Sequence, residues 1–124
     1  MIITIRPKQG EPYQGIVGLE GDSITGLLET YFKQSEQLET RIWLSADENA
    51  ASGLFLQQLP SEADQKKHDN ENWSRLTQLA ATVKNTELLG LGAGTLLHRL
   101  FHEEQCRLLS LTELRFACAC SRER

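Results

Sequence analysis

Residues 22–32, which read DSITGLLETYF, decide the fold class because they form the clearest helical pattern in the chain. Apolar side chains recur there at the spacing of one helical face, at Ile24, Leu27, Leu28, Tyr31 and Phe32. Asp22 stands just before this stripe, and aspartate is favoured as the residue that caps a helix N-terminus. The stretch therefore predicts one amphipathic helix with an apolar face to bury.

Strand signals stand on both sides of this helix. Residues 3–5 and 13–19 are extended apolar patterns separated by turn formers, which predicts a hairpin. After the helix, residues 41–46 alternate between apolar and polar, and residues 53–59 form another apolar segment that Pro60 ends. We therefore expect an α+β fold, with a partial mixed or antiparallel sheet and a helix packed across it.

The second half of the chain has a different pattern. Residues 61–72 are almost all polar or charged and predict a linker, because such a composition cannot bury enough apolar surface to order itself. Apolar spacing beyond them predicts short helices, one of them capped by Thr86, joined through the glycine-rich segment 90–94. This helical region should have low local stability. Residues 106–116 are expected to be extended.

Composition restricts the class of protein. The chain has 124 residues, 40% of them hydrophobic, and a net charge of -4, which predicts one soluble unit without the basic stripe of a nucleic-acid-binding protein. No apolar run approaches the roughly 18 residues of a membrane span, and the first residues do not resemble a signal peptide. The odd number of cysteines, 3, favours reduced thiols and a cytoplasmic location.

Cys118 and Cys120 form the most informative local motif. In an extended segment their side chains share a face, with Cα atoms about 6.5 Å apart. Tetrahedral zinc needs its sulfurs roughly 3.8 Å apart, which two converging Cys rotamers can supply, so the pair could form half of a structural zinc site. The same spacing is near the upper limit for a disulfide, so oxidation would require a local bend. The alternative from these residues alone is two small buried side chains at a strand end.

Other candidate motifs are weaker. His98 and His102 stand four residues apart on a predicted helix and precede Glu103 and Cys106, a spacing compatible with metal binding. The glutamate placement of a metalloprotease motif is missing, and histidines near a helix end more often pack or cap. The glycine-rich segment lacks the lysine of a phosphate loop, and no nucleophile elbow occurs. We therefore predict no catalytic residues.

Four stretches together resemble the redox-regulated 33-kDa heat-shock holdase family. They are YQGIVGLEGD at 13–22, YFKQSEQL at 31–38, LHRLFHEE at 97–104 and RFACACSRER at 115–124. They follow the family's order and spacing over essentially the whole chain. The resemblance implies a piece truncated at both ends, since the first half of the family's core domain would precede Met1 and a CxxC would follow Arg124.

The family resemblance implies an ATP-independent chaperone, not an enzyme, that holds unfolding client proteins during oxidative stress. In its resting state a CxC and a later CxxC bind one zinc as thiolates. Oxidation forms disulfides, releases zinc and unfolds the neighbouring helical linker. By position, Cys118 and Cys120 match the first two zinc ligands and redox-active thiols, whereas Cys106 matches none. Zinc is the cofactor expected in the intact protein, and the substrate-binding residues stay unassigned.

The resemblance also divides the chain. Residues 1–64 resemble the later half of the substrate-binding core domain, residues 65–117 the helical linker, and residues 118–124 the beginning of the zinc-binding redox-switch domain. Two thiolates do not close a tetrahedral site, so we expect this chain to bind zinc weakly or not at all unless two chains contribute a CxC each. An open sheet edge invites pairing between chains, so we also expect a homodimer.

Two alternative functions stay open at this point. A thiol-disulfide oxidoreductase could use Cys118 and Cys120, but it would need a lowered thiol pKa and turnover with small disulfides. A structural zinc module that mediates assembly would be disrupted by oxidation without any gain in client binding. A CxxC following Arg124 would favour the switch over both.

Overall fold

The computed structural model describes residues 2–18, 23–60 and 66–113, and within them the predicted α+β fold is confirmed. Two antiparallel hairpins are combined with helices, and none of the described helices is both long and apolar enough to cross a membrane. The elements are β1 (Ile2–Ile5), β2 (Tyr13–Ile16), α1 (Ile24–Tyr31), a π-helical turn (Phe32–Glu36), β3 (Thr40–Ala46), β4 (Ala51–Gln57), α2 (Lys66–Ala80), α3 (Asn85–Gly90) and α4 (Ala93–Phe101).

The first hairpin confirms the prediction and packs on α1 through a glycine. Strand β1 pairs antiparallel with β2, so that Ile3 lies opposite Gly15. The ring of Tyr31, only 2% exposed, lies so close to Gly15 that a Cβ atom there would overlap it. The missing side chain of Gly15 therefore lets the hairpin approach the helix.

Helix α1 is capped by a different residue from the one predicted. Ser23 has an extended backbone, and its hydroxyl accepts a hydrogen bond of 3.1 Å from the N–H of Gly26. The prediction of Asp22 as the cap was therefore wrong, and Asp22 itself lies outside the described residues. Serine and aspartate cap helices about equally well, so composition alone did not choose between neighbours. The π-helical turn ends at Gln37, in the left-handed region with φ of 57°.

The second hairpin occupies the two strand segments predicted after α1. In β3 and β4, Ile42 lies opposite Phe55 and Trp43 opposite Leu54. The carboxylate of Asp47 closes the turn by accepting the N–H groups of Asn49 and Ala50, both at 2.8 Å. Directly opposite residues share a face of the sheet, so one face carries Trp43 and Leu54 and the other carries Ile42 and Phe55.

The main apolar core lies between the Trp43 face of this hairpin and helices α2 to α4. Its buried residues are Leu54, Ala80, Leu88, Leu96, Leu100 and Phe101. Partly buried side chains surround them, at Trp43, Leu56, Leu76, Leu79, Val83 and Leu97. Helix α4 alone contributes three of the six buried residues. The helices of the second half are thus packed against the sheet.

Two predictions for the second half were wrong. Helix α2 begins at Lys66, so residues 66–72 are helical and not an irregular linker, while residues 61–65 lie outside the described residues. Once apolar residues later in α2 anchor the helix, adding polar residues to its start is favourable because propagation needs no new nucleus. Thr86 is not a cap, because α3 begins at Asn85 and Lys84 is its N-cap.

Candidate functional site

The cysteine pair singled out by the sequence lies outside the described residues. The geometry of Cys118 and Cys120, and zinc binding by them, therefore stay predictions. Cys106 is described, and it is an exposed free thiol whose Sγ lies 3.8 Å from the carbonyl oxygen of Phe101. Among the residues that the structure describes, no group of three or more His, Cys, Asp and Glu side chains is arranged to hold a metal ion.

The two histidines near the end of α4 lie together, as their spacing predicts. The ring centroids of His98 and His102 are 6.1 Å apart, and both side chains are exposed. Nε2 of His102 is 4.0 Å from the carboxylate of Glu103. Cys106, the last member of that sequence motif, does not join them in a three-ligand group.

Two pockets lie beside β3, and Ile42 and Trp43 line both of them. Glu29 of α1 and Thr77 of α2 also line the first pocket, and Thr25 of α1 and Leu88 of α3 also line the second. The N–H of Ile42 donates to Oε1 of Glu29 at 2.8 Å, and Oε2 of the same carboxylate pairs with Arg41 at 3.2 Å. A carboxylate therefore occupies the position that the carbonyl of an added strand would take.

Apolar side chains are exposed on the face of the second hairpin that carries Ile42 and Phe55, which is the face away from the main apolar core. Leu44 is 48% exposed and Phe55 49% exposed, and the ring of Phe55 packs edge-on against Phe32 with centroids 5.1 Å apart. Residues 105–113 form no helix or strand, and three leucines there are exposed as well, at Leu108, Leu109 and Leu111. Exposed apolar surface of this kind is typical of sites that contact other proteins.

Two ion pairs link segments of the helical half, one between α3 and α4 and one between α2 and the residues that follow α4, and neither was predicted from the sequence. Arg75 on α2 binds Glu104 with two parallel contacts, Nε to Oε1 at 2.8 Å and Nη2 to Oε2 at 3.0 Å. Arg99 on α4 pairs with Glu87 on α3 at 2.7 Å. The partners of the first pair are 29 residues apart, so no local pattern could have revealed them.

The folded chain lowers the pKa of both carboxyl groups in these ion pairs, Glu104 and Glu87. Hydrogen bonds from the Arg75 guanidinium hold the pKa of Glu104 below its ordinary value. For Glu87 the main cause of a lowered pKa is the hydrogen bond from the backbone N–H of Lys84, with a further contribution from Arg99. Both carboxyl groups are therefore stabilised in the charged form by the folded chain.

Protonating Glu104 should weaken the contact between α2 and the end of α4. Its pKa in the folded chain lies below the ordinary value of 4.5, so the ion pair stabilises the fold above about pH 4.5. That contribution is lost as the pH falls through the lowered pKa. Glu104→Gln should lower the urea midpoint at neutral pH and reduce the difference between the midpoints at neutral pH and at about pH 3.

A double-mutant cycle supplies the control for this prediction. Arg75→Gln should reduce the pH dependence as Glu104→Gln does, and the double variant should add no further effect, because both changes break one interaction. Strictly additive effects of the two changes would contradict a direct pair between these side chains.

Comparisons with known proteins agree on one family. All of residues 1–124 match the family model described as Hsp33 protein. The chain is 50% identical over 127 residues to the 33 kDa chaperonin of Pseudomonas fluorescens, covering 100% of this chain and 42% of that protein. It is 51% identical over 124 residues to the 33 kDa chaperonin of Shewanella sediminis, with the same coverage, 100% and 42%.

A solved structure shows the same fold. The 33 kDa chaperonin of Thermotoga maritima superposes with a TM-score of 0.67 at 19% identity, over 98% of this chain and 42% of that chain. At 19% identity this similarity shows only that the two chains share a fold. This chain spans less than half the length of each of these three proteins.

Proposed function

Since this chain belongs to the Hsp33 protein family, we propose that it is part of an ATP-independent holdase chaperone that binds unfolding client proteins. The family match over residues 1–124 carries the proposal. The relatives that share about half of its residues are named 33 kDa chaperonin, and the activity proposed is that of the whole protein, of which this chain corresponds to 42%. The exposed apolar side chains Leu44 and Phe55 supply surface of the kind that unfolded chains contact.

The regulation we propose is a thiol switch at Cys118 and Cys120. As thiolates the two side chains would supply half of a tetrahedral zinc site, and bound zinc would stabilise the surrounding fold. Oxidation by peroxide would join the two sulfurs to other thiols or to each other, with two electrons passing to the oxidant for each disulfide. The reduced cytoplasm, where we place the protein, keeps the thiols available for this reaction.

The packing of the helices suggests how such a switch could expose client-binding surface. Helices α2 to α4 cover the face of the second hairpin that carries Trp43 and Leu54. If oxidation destabilised these helices, that apolar face would become accessible along with the apolar faces of the helices themselves. Local unfolding of a few short helices costs less free energy than unfolding the whole chain. The partner in this proposal is an unfolded segment rich in apolar residues.

We also propose that the chain forms a homodimer and does not bind nucleic acid. The described residues form two sheets of only two strands each, and strand edges other than the β3 edge that Glu29 occupies support a homodimer, because such edges can pair with a second copy of the chain. A net charge of -4 does not favour nucleic acid as a partner.

The proposed activity predicts that the chain suppresses aggregation of a client without ATP. The measurement is light scattering from an enzyme that unfolds on heating, with the chain added after reduction or after peroxide treatment. We expect lower scattering in the presence of the chain and a stronger effect after peroxide. Full aggregation of the client in both conditions would refute holdase activity for this chain.

Cysteine variants separate the holdase from its switch. Replacing Cys118 and Cys120 with serine should remove the difference between reduced and peroxide-treated protein, whereas Cys106→Ser should keep it. If Cys106→Ser abolished the response to peroxide instead, the switch would lie at Cys106 and not at Cys118 and Cys120. Catalytic reduction of a small disulfide by the same chain would favour an oxidoreductase over a holdase.

A further inference from the structure

The exposed histidine pair of α4 has the arrangement of a two-ligand metal site. His98 and His102 are one helical turn apart, so their side chains project from the same side of the helix. Their ring centroids are 6.1 Å apart, and the ring planes are inclined by 58°. Among the residues that the structure describes, neither ring is engaged in a hydrogen bond, and the nearest charged contact is Glu103 at 4.0 Å from His102. The ring nitrogens are thus available for a ligand.

The separation of the rings is close to what chelation requires. With metal to nitrogen distances of about 2.0–2.1 Å, the centroid of each imidazole stands about 3.2 Å from a bound ion. A tetrahedral angle then sets the two centroids about 5 Å apart, and the right angle usual for Ni²⁺ sets them about 4.5 Å apart. The observed distance of 6.1 Å exceeds these separations by about 1–1.5 Å. Small rotations of two exposed side chains can close that gap without moving the helix backbone.

We propose that His98 and His102 chelate a divalent transition-metal ion on the surface of α4. Imidazole ligands suit Zn²⁺, Ni²⁺ and Cu²⁺ rather than Mg²⁺ or Ca²⁺. No third ligand completes the set among the described residues, and water from the solvent can occupy remaining coordination positions. The carboxylate of Glu103 adds negative charge beside the site. The proposal uses neither Cys118 nor Cys120 as a ligand, and it does not depend on the proposed holdase activity.

Metal binding at this pair is coupled to the stability of the core. The helical conformation holds these two residues near the chelating distance, whereas the unfolded chain would lose conformational entropy to bring them together, so the ion binds folded α4 in preference to the unfolded chain. A ligand that binds only the folded state raises the free energy of unfolding by mass action. Helix α4 carries Leu96, Leu100 and Phe101 into the core, so stabilising this helix stabilises the packing of the second hairpin against α2 to α4.

The test uses Ni²⁺ and a chain whose Cys106, Cys118 and Cys120 are replaced by serine, because thiolates would compete for the ion. Calorimetric titration should show one Ni²⁺ per chain, and saturation should raise the melting temperature. His98→Gln and His102→Gln should each weaken binding at least tenfold and remove the thermal shift. His68→Gln changes the remaining histidine of the chain and should leave both unchanged.

A second measurement keeps the proposal testable if a variant folds poorly. Paramagnetic Ni²⁺, added in less than one equivalent to the cysteine-free chain, should broaden the ring proton resonances of His98 and His102 before those of His68. Equal broadening of all three histidines, or titration heat that survives His98→Gln in a folded variant, would overturn the site. Absence of Ni²⁺ binding up to millimolar concentration would overturn it as well.

Discussion

Replacing Leu100 with alanine should lower the free energy of unfolding by about 2–5 kcal/mol, because the change removes a buried side chain and leaves a cavity. Leu100 is only 3% exposed and lies in the cluster that joins α4 to β4. A domain of this size has a total stability of roughly 5–15 kcal/mol, so the loss would be a large share of it. Equilibrium unfolding in urea, followed by circular dichroism, measures the change.

An exposed leucine provides the matched control. Leu108 is 69% exposed, and Leu108→Ala should change the free energy of unfolding by no more than about 0.5 kcal/mol. If Leu100→Ala were as mild as this control, α4 would not be packed against the second hairpin in solution.

The proposed function adds an expectation for Leu100→Ala. Looser packing of the helices should increase client holding by the reduced protein, since the covered face of the hairpin would be exposed more often.

Replacing Gly15 with alanine should destabilise the chain by about 1–3 kcal/mol, since an added methyl group in a tightly packed place forces its neighbours to move. At Gly15 the neighbour is the ring of Tyr31, which the new Cβ atom would overlap. Tyr31 is buried and belongs to α1, so the hairpin or the helix has to shift. The free energy of unfolding in urea again measures the effect.

A glycine-to-alanine substitution in α4 should raise the free energy of unfolding and not lower it. Gly94 lies in the first turn of α4, and a Cβ atom added there meets nothing within 4 Å. Gly94→Ala should therefore stabilise the chain by about 0.5–1 kcal/mol, because alanine loses less backbone freedom on folding.

Combining Gly15→Ala with Tyr31→Leu should lower the free energy of unfolding by less than the sum of the two separate losses. Simple additivity would show that the ring and the glycine are not in contact.

Local patterns in the sequence predicted several elements correctly. The apolar stripe at Ile24 to Phe32 predicted α1, and alternating or apolar segments predicted the first hairpin and the two strands of the second, because each of these signals depends on neighbours within one or two turns or on a single strand. The spacing of His98 and His102 likewise predicted that their rings lie together, since the helical period alone sets that distance. The motifs shared with the holdase family predicted the family that the comparisons show.

Local patterns failed where two neighbouring choices were nearly equal in energy. Asp22 and Ser23 are comparable caps by residue type, and the structure has Ser23 as the cap. The polar residues 66–72 have no apolar face of their own, yet they are helical because the later part of α2 is anchored in the core. Composition could not reveal that anchor.

The sequence by itself thus determined the type of most elements and the candidate cysteine and histidine pairs, which depend on residues close together in the chain. It also determined the family, which depends on the order and spacing of motifs along the chain. Only the tertiary structure decided which face of the second hairpin is covered, and that Arg75 reaches Glu104 across 29 residues. It also decided that Gly15 has to stay without a side chain. These are contacts between distant segments, and a distant contact forms only when the whole chain has packed, so no local pattern encodes it.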